Sequence, residues 1–252
     1  MRSVRIGSMV AWLVCVLASA HVGMADIMVV SPGPEASAEG NANNGFPFNI
    51  GLFGVPSMRY QQVYTSADFS ALTGPSLITA ILFRPDAFSG AAFSSTLPNV
   101  TIDLSTTSKT PSTLSSTFAD NVGADNTVEH TGALSLSSAD TGPSGGPKAF
   151  DIVINLSTPF LYDPSAGDLL LDVTNFGGGS TTQFDAVNSG DTHVNRVWAT
   201  SASATTGTVD SGQAGLVTEF QFSSPVPEPS ALLLLGTCIA LSAGVIRRRL
   251  RR

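Results

Sequence analysis

Cysteine is nearly absent. The 252 residues hold two, Cys15 and Cys238, and each lies inside an apolar segment near one end of the chain. The stretch between residues 26 and 226 has none. It can form no internal disulfide, no thiolate metal site and no catalytic thiol. Its stability must come from an apolar core, which a stretch of about 200 residues can supply. Basic charge is almost as scarce there. Only Arg59, Arg84, Lys109, Lys148 and Arg196 face 18 acidic residues, which leaves the middle at −13 while the whole chain stands at −7. A surface of that sign repels phosphate backbones and argues against a nucleic-acid partner. Histidine is reduced to His130 and His193 once His21 is set aside. Zinc would then need carboxylates at a spacing the chain does not offer. Amphipathic helical periodicity is also missing from the middle.

The other basic residues sit at the two ends. Arg2 and Arg5 precede the apolar run MVAWLVCVLA at residues 9–18, and small residues follow in ASA (18–20) and GMA (23–25). A positive lead, a run too short to span a bilayer comfortably and a small-residue site read as a secretion signal. Cleavage is expected after Ala25, where polar sequence begins; the site after Ala20 stays open, as does an uncleaved anchor. At the other end, residues 230–246 carry no charge over 17 residues. As a helix they would cover about 25 Å, near the lower limit for a membrane span. Arg247, Arg248, Arg249, Arg251 and Arg252 follow. Such a cluster is held on the cytoplasmic side, which puts the body outside and the C-terminus inside. Immediately before the apolar run stand Pro227, Glu228 and Pro229. Two prolines forbid continuation of a helix or sheet and leave this motif extended.

The ordered triple of Pro-Glu-Pro, apolar helix and arginine cluster resembles the PEP-CTERM sorting signal of bacterial exported proteins. The resemblance covers about a tenth of the chain. It implies that exosortase, a membrane-embedded transpeptidase-like enzyme, is the partner. It also implies transient anchoring by a single helix in the inner membrane, cutting near the motif, and passage of the body to the cell surface or an extracellular polysaccharide matrix. A plain single-pass anchor that is never cut is the alternative.

Between the ends the rhythm is that of strands. NVTIDLST sets Val100, Ile102 and Leu104 on one face; AFDIVINLST does the same with Ile152, Ile154 and Leu156. DLLLDVTNF and LVTEFQF continue the pattern, and MRYQQVYT, SLITAILF, VEHTGALSLS, TTQFDAV and HVNRVWAT are further candidates. Turn formers such as TGPS, PDAFSG, DPSAG and FGGGS separate them. The expected fold is therefore all-β, a β-sandwich, with a jelly roll as one arrangement of its strands. The expected organisation is a signal peptide at 1–25, a flexible lead-in at 26–49, a sandwich body at 50–224 and a sorting signal at 225–252.

Chemistry is harder to find. GPSGGP at residues 142–147 matches G-x-S-x-G in letters, but Pro147 and a strand follow Ser144 where a nucleophile elbow needs a helix. A Gly/Pro turn is expected there. Calcium is the one cofactor weighed, with Asp120, Asp125, Asp163 and Asp168 as weak oxygen ligands in loops. Asp185 with Asp191 forms a further pair. Tyr60, Tyr64, Tyr162 and Trp198 offer aromatic faces for sugar, although a core position is expected of Trp198. No catalytic constellation stands out. The sequence thus points to an exported structural, adhesive or polysaccharide-binding module. A carbohydrate-active hydrolase or lyase with paired carboxylates is the alternative.

Overall fold

A computed structural model describes residues 26–188 and 190–223. The expected signal peptide with its Ala25 site, the expected membrane helix, Pro227 to Pro229 and the terminal arginines lie outside the described residues. Among the described residues no helix is long and apolar enough to cross a membrane.

The described chain is all-β, with four one-turn 3₁₀ helices between strands. The strands are β1 (Ile27–Ser31), β2 (Ala42–Asn44), β3 (Met58–Tyr64), β4 (Ser76–Phe83), β5 (Phe93–Thr107), β6 (Thr127–Ser138), β7 (Ile152–Tyr162), β8 (Asp168–Gly177), β9 (Phe184–Val187), β10 (Val194–Ala199), β11 (Thr208–Val209), β12 (Gly215–Leu216) and β13 (Thr218–Ser223). Four form one sheet in the order β1-β13-β4-β7, and six form a second in the order β11-β10-β3-β8-β5-β6. A small third sheet runs β12-β9-β2.

One apolar core joins the two large sheets. Val29, Ile81, Phe83, Ile154, Phe220 and Phe222 come from the first sheet, and Tyr64, Ile102, Leu104, Leu171 and Val173 from the second. Two sheets sharing one core make a β-sandwich. The alternation in β5 and β7 does what it implied: Val100, Ile102, Leu104, Ile152 and Ile154 are buried. In β8 the alternation fails, since every residue from Asp168 to Val173 is buried. The strand is internal to its sheet, and loops cover its second face. There Leu170 packs with Val63, Val197, Leu114 and Phe118.

The segment 26–49, expected to be a flexible lead-in, is instead built into the sandwich. Strand β1 pairs with β13, and β2 pairs with β9. Phe48 is fully buried, its ring 5.6 Å from that of Phe83 and 5.9 Å from that of Phe184. The Pro, Gly and Asn residues of this segment serve turns between short paired pieces. Those pieces carry the apolar anchors Val29 and Phe48 into the core.

Candidate functional site

Three places gather polar or aromatic groups. The first lies where β4 ends. The backbone of Arg84 and Asp86 runs beside β9, with Asp185 N donating to the Arg84 carbonyl and Asp86 N to that of Gln183. This register sets Arg84 beside Asp185. Arg84 Nε donates to Asp185 Oδ2 at 2.7 Å, and Nη2 donates to the carbonyls of Glu35 (3.0 Å) and Ala38 (2.5 Å). The guanidinium also lies 4.7 Å from the centre of the Phe150 ring. Glu39, Asp86 and Asp185 each bring a carboxylate oxygen within 4.8 Å of the others, the spacing of a cation site. Those carboxylates already have work. Glu39 accepts from Ala87 N, Asp86 from Phe88 N and Ser89 N, and Asp185 from Gly40 N as well as Arg84. Burial pushes Asp185 up to about 7, against the pull of Arg84, and raises Glu39 as well. The arrangement acts as a clamp that fastens residues 35–40 to the sandwich.

The second place is the covered outer face of the six-stranded sheet. Asp172 of β8 accepts from Arg59 Nη2 (3.0 Å) and Gln61 Nε2 (2.6 Å), both on β3. Asn121, in the covering loop, donates to Gln61 Oε1 at 2.9 Å. Asp103 of β5 stands directly opposite Asp172. Burial, with the charge of Asp172 added, pushes Asp103 up to about 6. Where β5 and β6 slip in register after Ile102, Glu129 is fully buried and neither carboxylate oxygen has a hydrogen-bond partner. Burial, then Asp103, pushes it up to about 7. Unpaired buried carboxylates favour the protonated form because desolvation penalises charge.

The third place surrounds Trp198 on β10. Its neighbours across the sheet are Tyr60 and Thr208. The indole packs at the rim of a small cluster of Ile50, Met58 and Tyr60. The Phe46 ring lies 5.2 Å away, and the Phe53 ring lies 5.0 Å beyond Phe46. Trp198 also lines a shallow, mostly polar groove of about 290 Å³ with Ala199, Thr200, Thr206, Gly207 and Thr208.

The residues singled out in the sequence go to different places. Tyr60, Tyr64 and Tyr162 are fully buried and form no platform. Their hydroxyls bond Gln62, Thr218 and the Gly167 carbonyl, and burial raises all three phenol pKa values. Asp120, Asp125, Asp163 and Asp168 do not converge. They accept from Ser115 Oγ, Thr106 N, Ser165 N and Ser66 N respectively, each in a separate tie. Ser144 sits in an exposed turn between β6 and β7. His193 Nδ1 lies 2.6 Å from Asp68 Oδ1, and Ser31 donates to Asp68 Oδ2 at 2.5 Å. A serine nucleophile needs its hydroxyl on the histidine. In this case serine and histidine both bind the aspartate, so the trio ties three segments together. Of the Arg84 clamp the sequence signalled only Asp185, and it paired that residue with Asp191 rather than with Arg84, which lies 101 residues away and sits in no spaced motif.

These features define a disulfide-free sandwich whose buried polar groups fasten loops. The C-terminal segment beyond it belongs to a recognisable class. Residues 225–252 match the family described as the PEP-CTERM protein-sorting motif. The match implies an exported protein, anchored through its C-terminus until exosortase, its processing partner, acts on it. No curated protein matches the chain.

Proposed function

We propose that the chain is a cell-surface or extracellular-matrix protein whose sandwich body is a structural or adhesive module contacting polysaccharide. One observation carries this reading: the sorting motif begins at residue 225, directly after β13, so the sandwich is the cargo that the tail delivers. Binding is favoured over catalysis because the Arg84, Asp172 and Asp68 clusters are committed to internal ties. The hydrolase or lyase reading draws on Glu129 and Asp103, whose raised pKa values suit a general acid. Glu129 is fully buried, however, and out of a substrate's reach.

Intact-mass analysis of the protein recovered from its native cell, with fractionation of membrane, surface and matrix, tests the proposal. A C-terminus near Pro227 and recovery in the surface or matrix fraction are expected. Retention through Arg252 in the membrane fraction would reduce the tail to a simple anchor.

A further inference from the structure

We propose that Asp103 and Glu129, set against each other where β5 and β6 slip in register, hold a calcium ion on the outer face of the six-stranded sheet.

The slip buries an acid beside an exposed aliphatic residue. Ile102 stands opposite His130 and Asp103 opposite Val128, so β6 spends two residues, Val128 and Glu129, against the single Asp103. Of those two, the valine is 54 % exposed and the glutamate is fully buried. Transfer free energies favour the reverse. Neither oxygen of Glu129 has a hydrogen-bond partner among the described residues, and Asp103 Oδ1 and Asp172 Oδ1 are likewise shielded and unpartnered. Asp172 stands opposite Asp103 on the next strand, so these four oxygens follow one row across the sheet. Among the described residues, Asp103 is the charge that acts on Glu129.

A proton on Glu129 removes its charge but leaves its oxygens without partners, still at a desolvation cost. A cation meets both needs. The charge count sets its valence: Asp103, Glu129 and Asp172 face one guanidinium, that of Arg59 on Asp172, which leaves two negative charges. The donor set fixes its kind. His130 is the partner of the core residue Ile102 and belongs to the inner face, so the side-chain ligands are oxygens alone. Calcium takes oxygen ligands at irregular angles and fills its remaining positions with water or backbone carbonyls. Magnesium demands an octahedron, and zinc favours nitrogen and sulfur. Asp103 is half-buried and β6 is the edge strand of its sheet, so the ion can enter from solvent past Asp103. The carboxylates of Glu39, Asp86 and Asp185 lie close together but already serve Arg84 and backbone N–H groups. Bound in the row, calcium ties β5 to its edge strand; without it, the row holds protons instead.

The full chain in detergent is stripped with EDTA and titrated at pH 8 with calcium, and separately with magnesium and zinc. Bound metal is read by equilibrium dialysis, and the melting temperature is read at each concentration. Saturable calcium binding with a Kd of about 10⁻⁴–10⁻³ M is expected, together with a melting temperature higher in calcium than in EDTA. Glu129→Gln and Asp103→Asn keep the side-chain shape and remove one charge each. Both should weaken calcium binding about tenfold or more and lose the calcium-dependent rise in melting temperature. A cooperative melt in EDTA shows that each variant is folded. Glu39→Gln, in the carboxylate group beside Arg84, should keep the parent affinity. No saturable effect of calcium up to about 10 mM overturns the proposal. So does parent affinity in both Glu129→Gln and Asp103→Asn, a loss confined to Glu39→Gln, or tighter binding of magnesium or zinc than of calcium.

Discussion

Arg84 and Asp185 are 101 residues apart in sequence and 2.7 Å apart from Nε to Oδ2, with side-chain exposures of 2 % and 0 %. A charge pair so enclosed gains little over an apolar pair, but removal of one partner strands the other. The variant Arg84→Met should therefore destabilise the body by about 3–5 kcal/mol. It also orphans the carbonyls of Glu35 and Ala38. Because burial already raises Asp185 to about 7, the stranded carboxyl can take a proton in mild acid. Urea unfolding at pH 5 and pH 8 should show the larger loss at pH 8. Equal losses at both values would mean that the carboxylate charge does not carry the effect.

The buried carboxyls give the body an unusual pH dependence. Glu129 is raised to about 7, Asp103 to about 6 and Asp185 to about 7, so the folded state binds more protons than the unfolded chain. Stability from these groups is fully present below about pH 4, where both states are protonated, and is lost as pH rises towards about 7. Urea midpoints at pH 4.5, 6 and 8 should fall in that order. Glu129→Gln mimics the protonated acid. It should raise the midpoint at pH 8, change it little at pH 4.5 and flatten the slope between them. A midpoint that rises with pH in the parent protein would contradict the reading.

Much of the fold was legible because a strand with one wet face must alternate. Ile154 against the exposed Asn155 announces its faces through chemistry alone, whereas Asp103, next to Ile102, faces a covered surface that its charge does not foretell. All nine candidate strands appear, the last divided between β12 and β13. What escaped depends on partners far along the chain. Strand β2 looks like loop sequence, since Ala42 to Asn44 carry no apolar alternation and need β9 as a template, while the short apolar run of β1 finds its partner only in β13, at the far end of the body. The interior of β8 reads as alternating only if one face is wet, and Phe118 arrives from elsewhere to cover it. The candidate sites split in the same way. The sorting tail is a local, ordered pattern and could be read directly, whereas the Arg84 clamp and the Trp198 stack join residues that only the fold brings together.

Phe69 offers a direct test of how the sandwich is held. Its ring lies 5.1 Å from Tyr162, 5.5 Å from Phe220 and 5.9 Å from Phe222, so a short 3₁₀ turn after β3 plugs into the opposing sheet. Truncation to alanine leaves a cavity among three rings held by paired strands, which cannot collapse to fill it. Phe69→Ala should cost about 3–5 kcal/mol, seen as a lower urea midpoint with an unchanged slope. A cost below about 1 kcal/mol would mean that the turn does not anchor the two sheets.

Two glycines separate the effects of space and of backbone angle. A Cβ on Gly123 would stand 1.9 Å from the Thr106 carbonyl oxygen and 2.7 Å from its carbon. No rotamer relieves a clash with backbone, so the loop would have to lift from β5. Lifting it breaks the bonds from Gly123 N to Ser105 Oγ and from Thr106 N to Asp125, and draws Asn121 away from Gln61. Gly54, by contrast, has open space around it but a φ of 64°, which costs an L-residue roughly 1–2 kcal/mol. Gly54→Ala should lower stability by about that amount and leave amide exchange elsewhere unchanged. Gly123→Ala should cost more, about 2–3 kcal/mol, and should also speed exchange at the covered residues Gln61 and Asp172, because the lid that shields them has moved. If the two variants behave alike, residues 118–126 do not seal the outer face, and the burial that raises Asp103 must have another source.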